Sequence, residues 1–141
     1  MTKRNIVREY YIRLDSGRND LLELFSEDAQ FYFPKFGIAR GKSSFEELIS
    51  ELLISVESIE HDIDNFIYIS EGPYVVVEGT TSGRMRNGQR WSGGQTPGGR
   101  FSSIFEVKND LITRMHVYLD PDYTGRDTTR FLRNNTSRIS W

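Results

Sequence analysis

RFSSIFEVKNDLITRMHVYLDPDY, residues 100–123, decides the fold. It reads as two strands joined by a tight turn at Lys108-Asn109-Asp110. In the first strand Phe101, Ser103, Phe105 and Val107 share a face. In the second, Leu111, Thr113, Met115, Val117 and Leu119 share a face, opposite Ile112, Arg114, His116, Tyr118 and Asp120. Side chains alternate across a strand, so an apolar period of two residues means that one face is buried. The apolar row holds one hydroxyl, that of Ser103. A polar atom among aromatics needs a partner or a ligand, so a pocket is expected beneath this hairpin.

The chain around it has 141 residues, enough for one domain with a real core. We read 1–141 as a single domain in which 124–141 is a polar tail carrying Arg126, Arg130, Arg133 and Arg138. Thr128 to Leu132 could form a helical turn, and Phe131 and Trp141 imply that the tail docks, on a partner subunit or elsewhere. Aromatic residues make up 13%, an excess that goes into a core or into the lining of an apolar site. The net charge of −2 creates no field that would attract nucleic acid or an anionic membrane. The absence of cysteine removes disulfides, thiolate metal sites and cysteine nucleophiles, and fits a cytoplasmic address. The basic N-terminus has no apolar signal core, and no apolar run approaches a membrane span.

Upstream, residues 4–15 predict a helix with the stripe Ile6, Tyr10, Tyr11 and Leu14, stopped at Gly17. Tyr10 is either a core tyrosine with its hydroxyl at the rim or a phenol donating into a pocket. Asp20–Phe25 predicts a short helix capped by Asn19 or Asp20. A strand ending at Pro34 follows, with Phe31 and Phe33 on one face, and Gly37 and Gly41 break the chain. Lys42–Val56 predicts the best helix, capped by Ser43 or Ser44, with Phe45, Leu48, Ile49, Leu52, Leu53 and Val56 turned inward. Alternation returns over Ser58–Ser70. Glu71-Gly72-Pro73 is a hairpin turn, and Tyr74–Met85 is a strand rich in β-formers. Residues 86–100, RNGQRWSGGQTPGGR, read either as a mobile lid or as a hairpin excursion whose Trp91 covers an apolar patch.

The order is helix, short helix, strand, helix, then four long antiparallel strands. It predicts an α+β cone-shaped roll, a curved and mostly antiparallel sheet wrapped around three N-terminal helices. Four stretches carry a resemblance over residues 4–123. They are Tyr10 through Pro34 (YxxxLDSGxxxxLLELFSEDAQFYFP), GKSSFEELI at 41–49, EHDIDNF at 60–66 and VYLDPDY at 117–123. In this order and spacing the chain resembles the SnoaL-like branch of the nuclear transport factor two-like superfamily. That superfamily includes ketosteroid isomerase, scytalone dehydratase, limonene epoxide hydrolase and polyketide cyclases. The resemblance implies a cone-shaped cavity between sheet and helices, and a homodimer through the sheet.

Matched position by position, Tyr10 corresponds to the isomerase tyrosine donor. Phe33 stands where that enzyme has its basic carboxylate, and Ser103 where it has a protonated Asp. A phenyl ring cannot accept a proton, so isomerase-type shuttling is not expected. Similarity to scytalone dehydratase implies His61 as acid or base, Asp15 at the end of the first helix and Ser103 on the sheet; a second histidine has no counterpart. Each has a plainer reading: His61 as a solvent-facing strand end, Asp15 as a helix-end residue, Asp120 as the start of the DPD turn. Asp120 could alternatively face the cavity mouth. The epoxide hydrolase carboxylate falls at Val117. Glu78 is a further strand carboxylate of unassigned face.

Phosphate-loop, dinucleotide, zinc and nucleophile-elbow motifs are absent from the sequence. Two separated histidines make a catalytic metal improbable. The arginines at 84, 86, 90 and 100 are read as decorating a solvated hairpin rather than binding RNA. The expectation is therefore a cofactor-free and metal-free protein whose cavity holds a small apolar or aromatic organic molecule. Leu14, Phe31, Phe33, Trp91, Phe101, Phe105, Met115, Val117 and Leu119 would line it. Tyr10, His61, Ser103, Asp15 and Asp120 are the candidates for lyase, isomerase or cyclase chemistry. The alternative is a non-catalytic dimeric ligand-binding or protein-interaction module, joined through Ile112, His116 and Tyr118.

Overall fold

The first helix, α1 (Lys3–Asp15), opens with the Thr2 hydroxyl accepting from the Asn5 N–H. It buries Ile6, Val7, Tyr10 and Tyr11 along one stripe. This is a computed structural model, and it describes residues 1–130 and 137–141. The chain leaves α1 through Gly17, whose φ of 64° is the left-handed conformation that glycine adopts without penalty. The expected second helix is a single 3-10 turn, Leu21–Leu24, and Asp20 does not cap it. The Asp20 carboxylate pairs with Arg18 and Arg13 instead.

The second long helix, α2 (Lys42–Ser55), starts at Gly41 with no side-chain cap. Ser44 faces backwards and donates to the Arg40 carbonyl at 2.7 Å, so neither Ser43 nor Ser44 caps it. Phe45 and Leu48 are buried, whereas Leu53 and Ile54 face out. Leu53 thus lies off the inward stripe, because α2 packs on the sheet along a narrower line than its apolar content predicts.

The strands are β1 (Phe25–Phe33), β2 (Gly37–Arg40), β3 (Val56–His61), β4 (Ile67–Glu71), β5 (Tyr74–Met85), β6 (Arg90–Trp91), β7 (Arg100–Lys108) and β8 (Leu111–Leu119). They form a sheet in the order β2-β1-β8-β7-β5-β3, with β4 and β6 also paired to β5. β1 runs parallel to β8; every other pairing is antiparallel. The sequence reading missed β2, a four-residue strand between two glycines. β5 pairs with β4 and β7 through its first half, and with β3 and β6 through its second. The mixed α+β roll agrees with the expected fold class, with two α-helices and the short turn standing for three helices.

The β7–β8 hairpin turns on Asn109 and Asp110, both at positive φ as a two-residue hairpin demands. Phe101, Ser103, Phe105 and Val107 face inward as expected. Beyond the turn the register slips: Glu106 pairs with Arg114 but Val107 with Ile112. This bulge leaves Thr113 extra, its hydroxyl bonded to the Glu106 carboxylate at 2.6 Å. It also swings Ile112 into the core, fully buried. The expected outward row of Ile112, His116 and Tyr118 therefore loses its first member.

In residues 86–100, Trp91 is buried and its indole donates to Thr81 Oγ1 at 3.0 Å. This agrees with a hairpin excursion over an apolar patch. The tail end docks on the same loop: the Trp141 N–H donates to the Gly94 carbonyl, and Arg100 bonds Trp141 and Ser140. Thr128–Arg130 is one 3-10 turn; Phe131 and Leu132 lie outside the described residues. Among the described residues, no helix is long and apolar enough to cross a membrane.

Candidate functional site

Asp15 closes α1 and His61 closes β3, and the packing of that helix end on that strand end makes them neighbours across 46 positions of sequence. One Asp15 carboxylate oxygen accepts from the His61 backbone N–H at 2.8 Å, and the other meets His61 Nδ1 at 2.7 Å. The His61 side chain is 8% exposed and that of Asp15 is 16% exposed. A carboxylate can only accept, so Nδ1 is the donor; in the neutral ring this leaves the lone pair on Nε2. The ring is wedged between Tyr11, at 4.9 Å between centroids, and Phe101, at 5.3 Å and edge-on.

His61 forms part of the wall of a cavity of about 70 Å³ between α1, α2 and the sheet. Tyr10, Leu14, Phe33, Phe101, Ser103, Met115, Val117 and Leu119, among the candidates named from the sequence, line it. Tyr11, Ile49, Leu52, Ile59, Thr81 and Tyr123 also line it, and the sequence reading had assigned none of these to the site. Tyr11 was legible only as a member of the α1 stripe. Tyr123 carried no local signal, because it lies in an irregular loop.

Four expected members sit elsewhere. Phe31 and Phe105 are fully buried on either side of Met115 in the inner row Phe31–Met115–Phe105–Val75. Phe31 packs on Phe25 and Phe45, and Phe105 on Tyr10 and Tyr11. Trp91 lies behind the wall, holding Thr81 and stacking on Tyr123 at 4.6 Å. Asp120 turns away from the cavity and accepts the Asp122 N–H at 2.9 Å, the role of a turn residue. Glu78 is exposed on the outer face of the sheet. The loop arginines are dispersed: Arg84 pairs with Glu57, and Arg86 bonds the Leu53 carbonyl.

The cavity is almost wholly apolar, yet the hydroxyls of Tyr11, Ser103 and Tyr123 in its wall are buried without a well-formed hydrogen bond among the described residues. Burial pushes the Tyr11 phenol well above its ordinary range, with Tyr10 adding to the effect and the neighbouring Ser103 hydroxyl opposing it. Burial raises Tyr10 and Tyr123 likewise. All three phenols therefore stay protonated as donors. No cluster of three or more His, Asp or Glu side chains among the described residues could hold a metal ion. What the wall offers instead is an imidazole held by Asp15, with phenol and serine hydroxyls in the same wall.

The profile of the SnoaL-like domain matches residues 7–115. The chain belongs to the SnoaL-like domain family. The SnoaL-like match spans Tyr10, Asp15, His61 and Ser103, and stops short of Tyr123. Among solved structures, a Burkholderia pseudomallei NTF2-like protein of unknown function superimposes with a TM-score of 0.73 at 17% identity, covering 85% of this chain and 92% of that one. A Pseudomonas putida protein provisionally named a polyketide cyclase gives 0.74 at 18% identity, covering 87% and 95%. TerC, crystallised with polyporic acid, gives 0.70 at 16% identity, covering 84% and 91%. At these identities the likeness speaks for the fold alone. No curated protein matches the chain.

Proposed function

We propose that the cavity takes up a small apolar or aromatic molecule bearing an oxygen function, and that His61 runs cofactor-free acid–base chemistry on it. The observation that carries this reading is the Asp15–His61 pair in a cavity wall that also holds the neighbouring, buried Tyr11 and Ser103 hydroxyls. Neutral Nε2 takes a proton from a carbon next to a carbonyl. The C–H electron pair becomes a new carbon–carbon double bond and the carbonyl π pair moves onto oxygen, whose charge the two hydroxyls receive. Asp15 stabilises the imidazolium. Returning that proton to another carbon isomerises the substrate; giving it to a departing hydroxide completes loss of water. The polyporic acid in the TerC crystals makes aromatic oxygenated molecules the first class to try.

Native mass spectrometry followed by denaturation tests uptake: release of an organic molecule supports the cavity reading. The chemistry is tested by deuterium uptake beside the carbonyl of 2-tetralone, followed by NMR. The wild type is expected to accelerate it, and His61→Ala to lose at least ~100-fold of that acceleration without unfolding. Equal rates in the two proteins would remove His61 from the mechanism.

A second reading, a dimeric platform, is favoured by the outer sheet face. There Ile69, Val76, Ile104, His116, Tyr32 and Ile38 stand opposite one another in a row across successive strands. Ile69 and Ile38 are largely exposed.

A further inference from the structure

We infer that Tyr123 is a ligand-binding residue at the mouth of the cavity. Its ring is the yielding wall through which the ligand passes, and its hydroxyl binds a second oxygen on that ligand. The inference rests on the cavity being a ligand site.

Size makes the first part of the argument. An apolar cavity that accepts benzene measures roughly 150 Å³, and pockets for larger organic molecules ~300 Å³ or more. About 70 Å³ admits neither. Beside the cavity lies an open groove of about 440 Å³, and the two share Phe33, Leu48, Leu52 and Tyr123. These four side chains are the partition. Phe33 is fixed in a sheet strand, and Leu48 and Leu52 in α2. Tyr123 alone stands on a loop, so displacing it breaks no ladder or helix hydrogen bond. Tyr123 also borders a third opening of about 420 Å³.

Chemistry makes the second part. Tyr123 is 4% exposed, and its hydroxyl has no hydrogen-bond partner among the described residues. Leaving a buried hydroxyl unpaired is costly, yet the loop is built around this tyrosine. The Asp122 carboxylate accepts the N–H groups of Arg126 and Asp127. Gly98 presses so closely that a Cβ there would lie 2.4 Å from Tyr123 Cα. Trp91 supports the ring from behind. A tyrosine so placed in an apolar wall holds its hydroxyl for something that arrives. With Tyr11, Ser103 and His61 serving one oxygen, Tyr123 serves another. The ligand class is therefore elongated: a planar apolar body with oxygen functions at opposite ends.

Fluorescence titration with 2,6-dihydroxynaphthalene and 2-naphthol tests this on wild type, Tyr123→Phe and Tyr123→Ala, with thermal unfolding confirming that each variant folds. The wild type should bind the two-oxygen probe about fivefold more tightly than 2-naphthol, the worth of one neutral hydrogen bond. Tyr123→Phe should erase that difference, and Tyr123→Ala should speed association of both probes. If Tyr123→Phe keeps the preference, or if the wild type has none, the role of Tyr123 falls while the cavity reading stands. If neither probe binds the wild type or the widened Tyr123→Ala, the cavity reading falls, and the inference with it.

Discussion

Ser103 shows how much one residue carries. A single hydroxyl in an apolar row implied a pocket, and the structure buries that hydroxyl in a cavity wall beside the Tyr11 phenol. His61 and Asp15 were each readable as surface residues; their pairing appears only when helix end meets strand end. His116 is the converse case. Expected on an exposed face, it is 4% exposed, packed by Tyr32, which in turn packs on Tyr118. Its Nε2 faces Gln30 Oε1 at 2.9 Å and its Nδ1 faces the Arg114 guanidinium at 3.1 Å. Arg114 can only donate, so Nδ1 accepts and the ring is neutral. Burial, and secondarily Arg114, push its pKa below the usual value. A proton then binds the unfolded chain more readily than the folded one. The stability that His116 contributes is full above about pH 6.5 and is lost as pH falls from there through its lowered folded value. Urea unfolding between pH 7.5 and 5 should show the wild type losing more stability than His116→Gln. Parallel curves would mean that another group titrates.

At the scale of elements, periodicity located α1, α2, β5 and the β7–β8 hairpin because each is long enough to repeat its pattern. It failed at β2, which is too short, and at the β8 bulge, where one extra residue reverses every later facing toward the turn. Two glycine-related sites make opposite predictions. At Gly83 a Cβ would meet the Trp91 ring and the Ser58 carbonyl at 2.3 Å. Gly83→Ala should cost about 2–3 kcal/mol in chemical denaturation through overpacking. An effect below ~0.5 kcal/mol would mean that Trp91 moves freely. Asp110, at a φ of 62°, sits where a hairpin turn prefers glycine. Asp110→Gly should therefore raise stability by roughly 0.5–1 kcal/mol by relieving the backbone strain.

For the whole molecule the proposed dimer turns on the outer sheet face. Beside the apolar row runs another: Glu71, Tyr74, Glu106, Arg114, Gln30 and Arg40. It is acidic at the β4 end and basic at the β2 end. A two-fold axis lying between the two outer faces, parallel to the strands, would lay acid on base in both copies, as a self-complementary interface requires. Light scattering should give a dimer for the wild type and a monomer for Ile104→Glu. A monomeric wild type would remove the platform reading.

What the sequence by itself determined was the fold class, the hairpin with its inward Ser103, and the polar candidates Tyr10, Asp15 and His61. Alternation, helical stripes and turn residues are local properties, and a family resemblance preserves their order. Only the tertiary structure decided that Asp15 holds His61, that Phe31, Phe105 and Trp91 lie outside the cavity wall, that Tyr11 and Tyr123 join it, and that the space left is about 70 Å³. Those facts depend on which rows of the sheet face the helices and how closely the side chains interdigitate, and packing between residues distant in sequence leaves no local pattern to read.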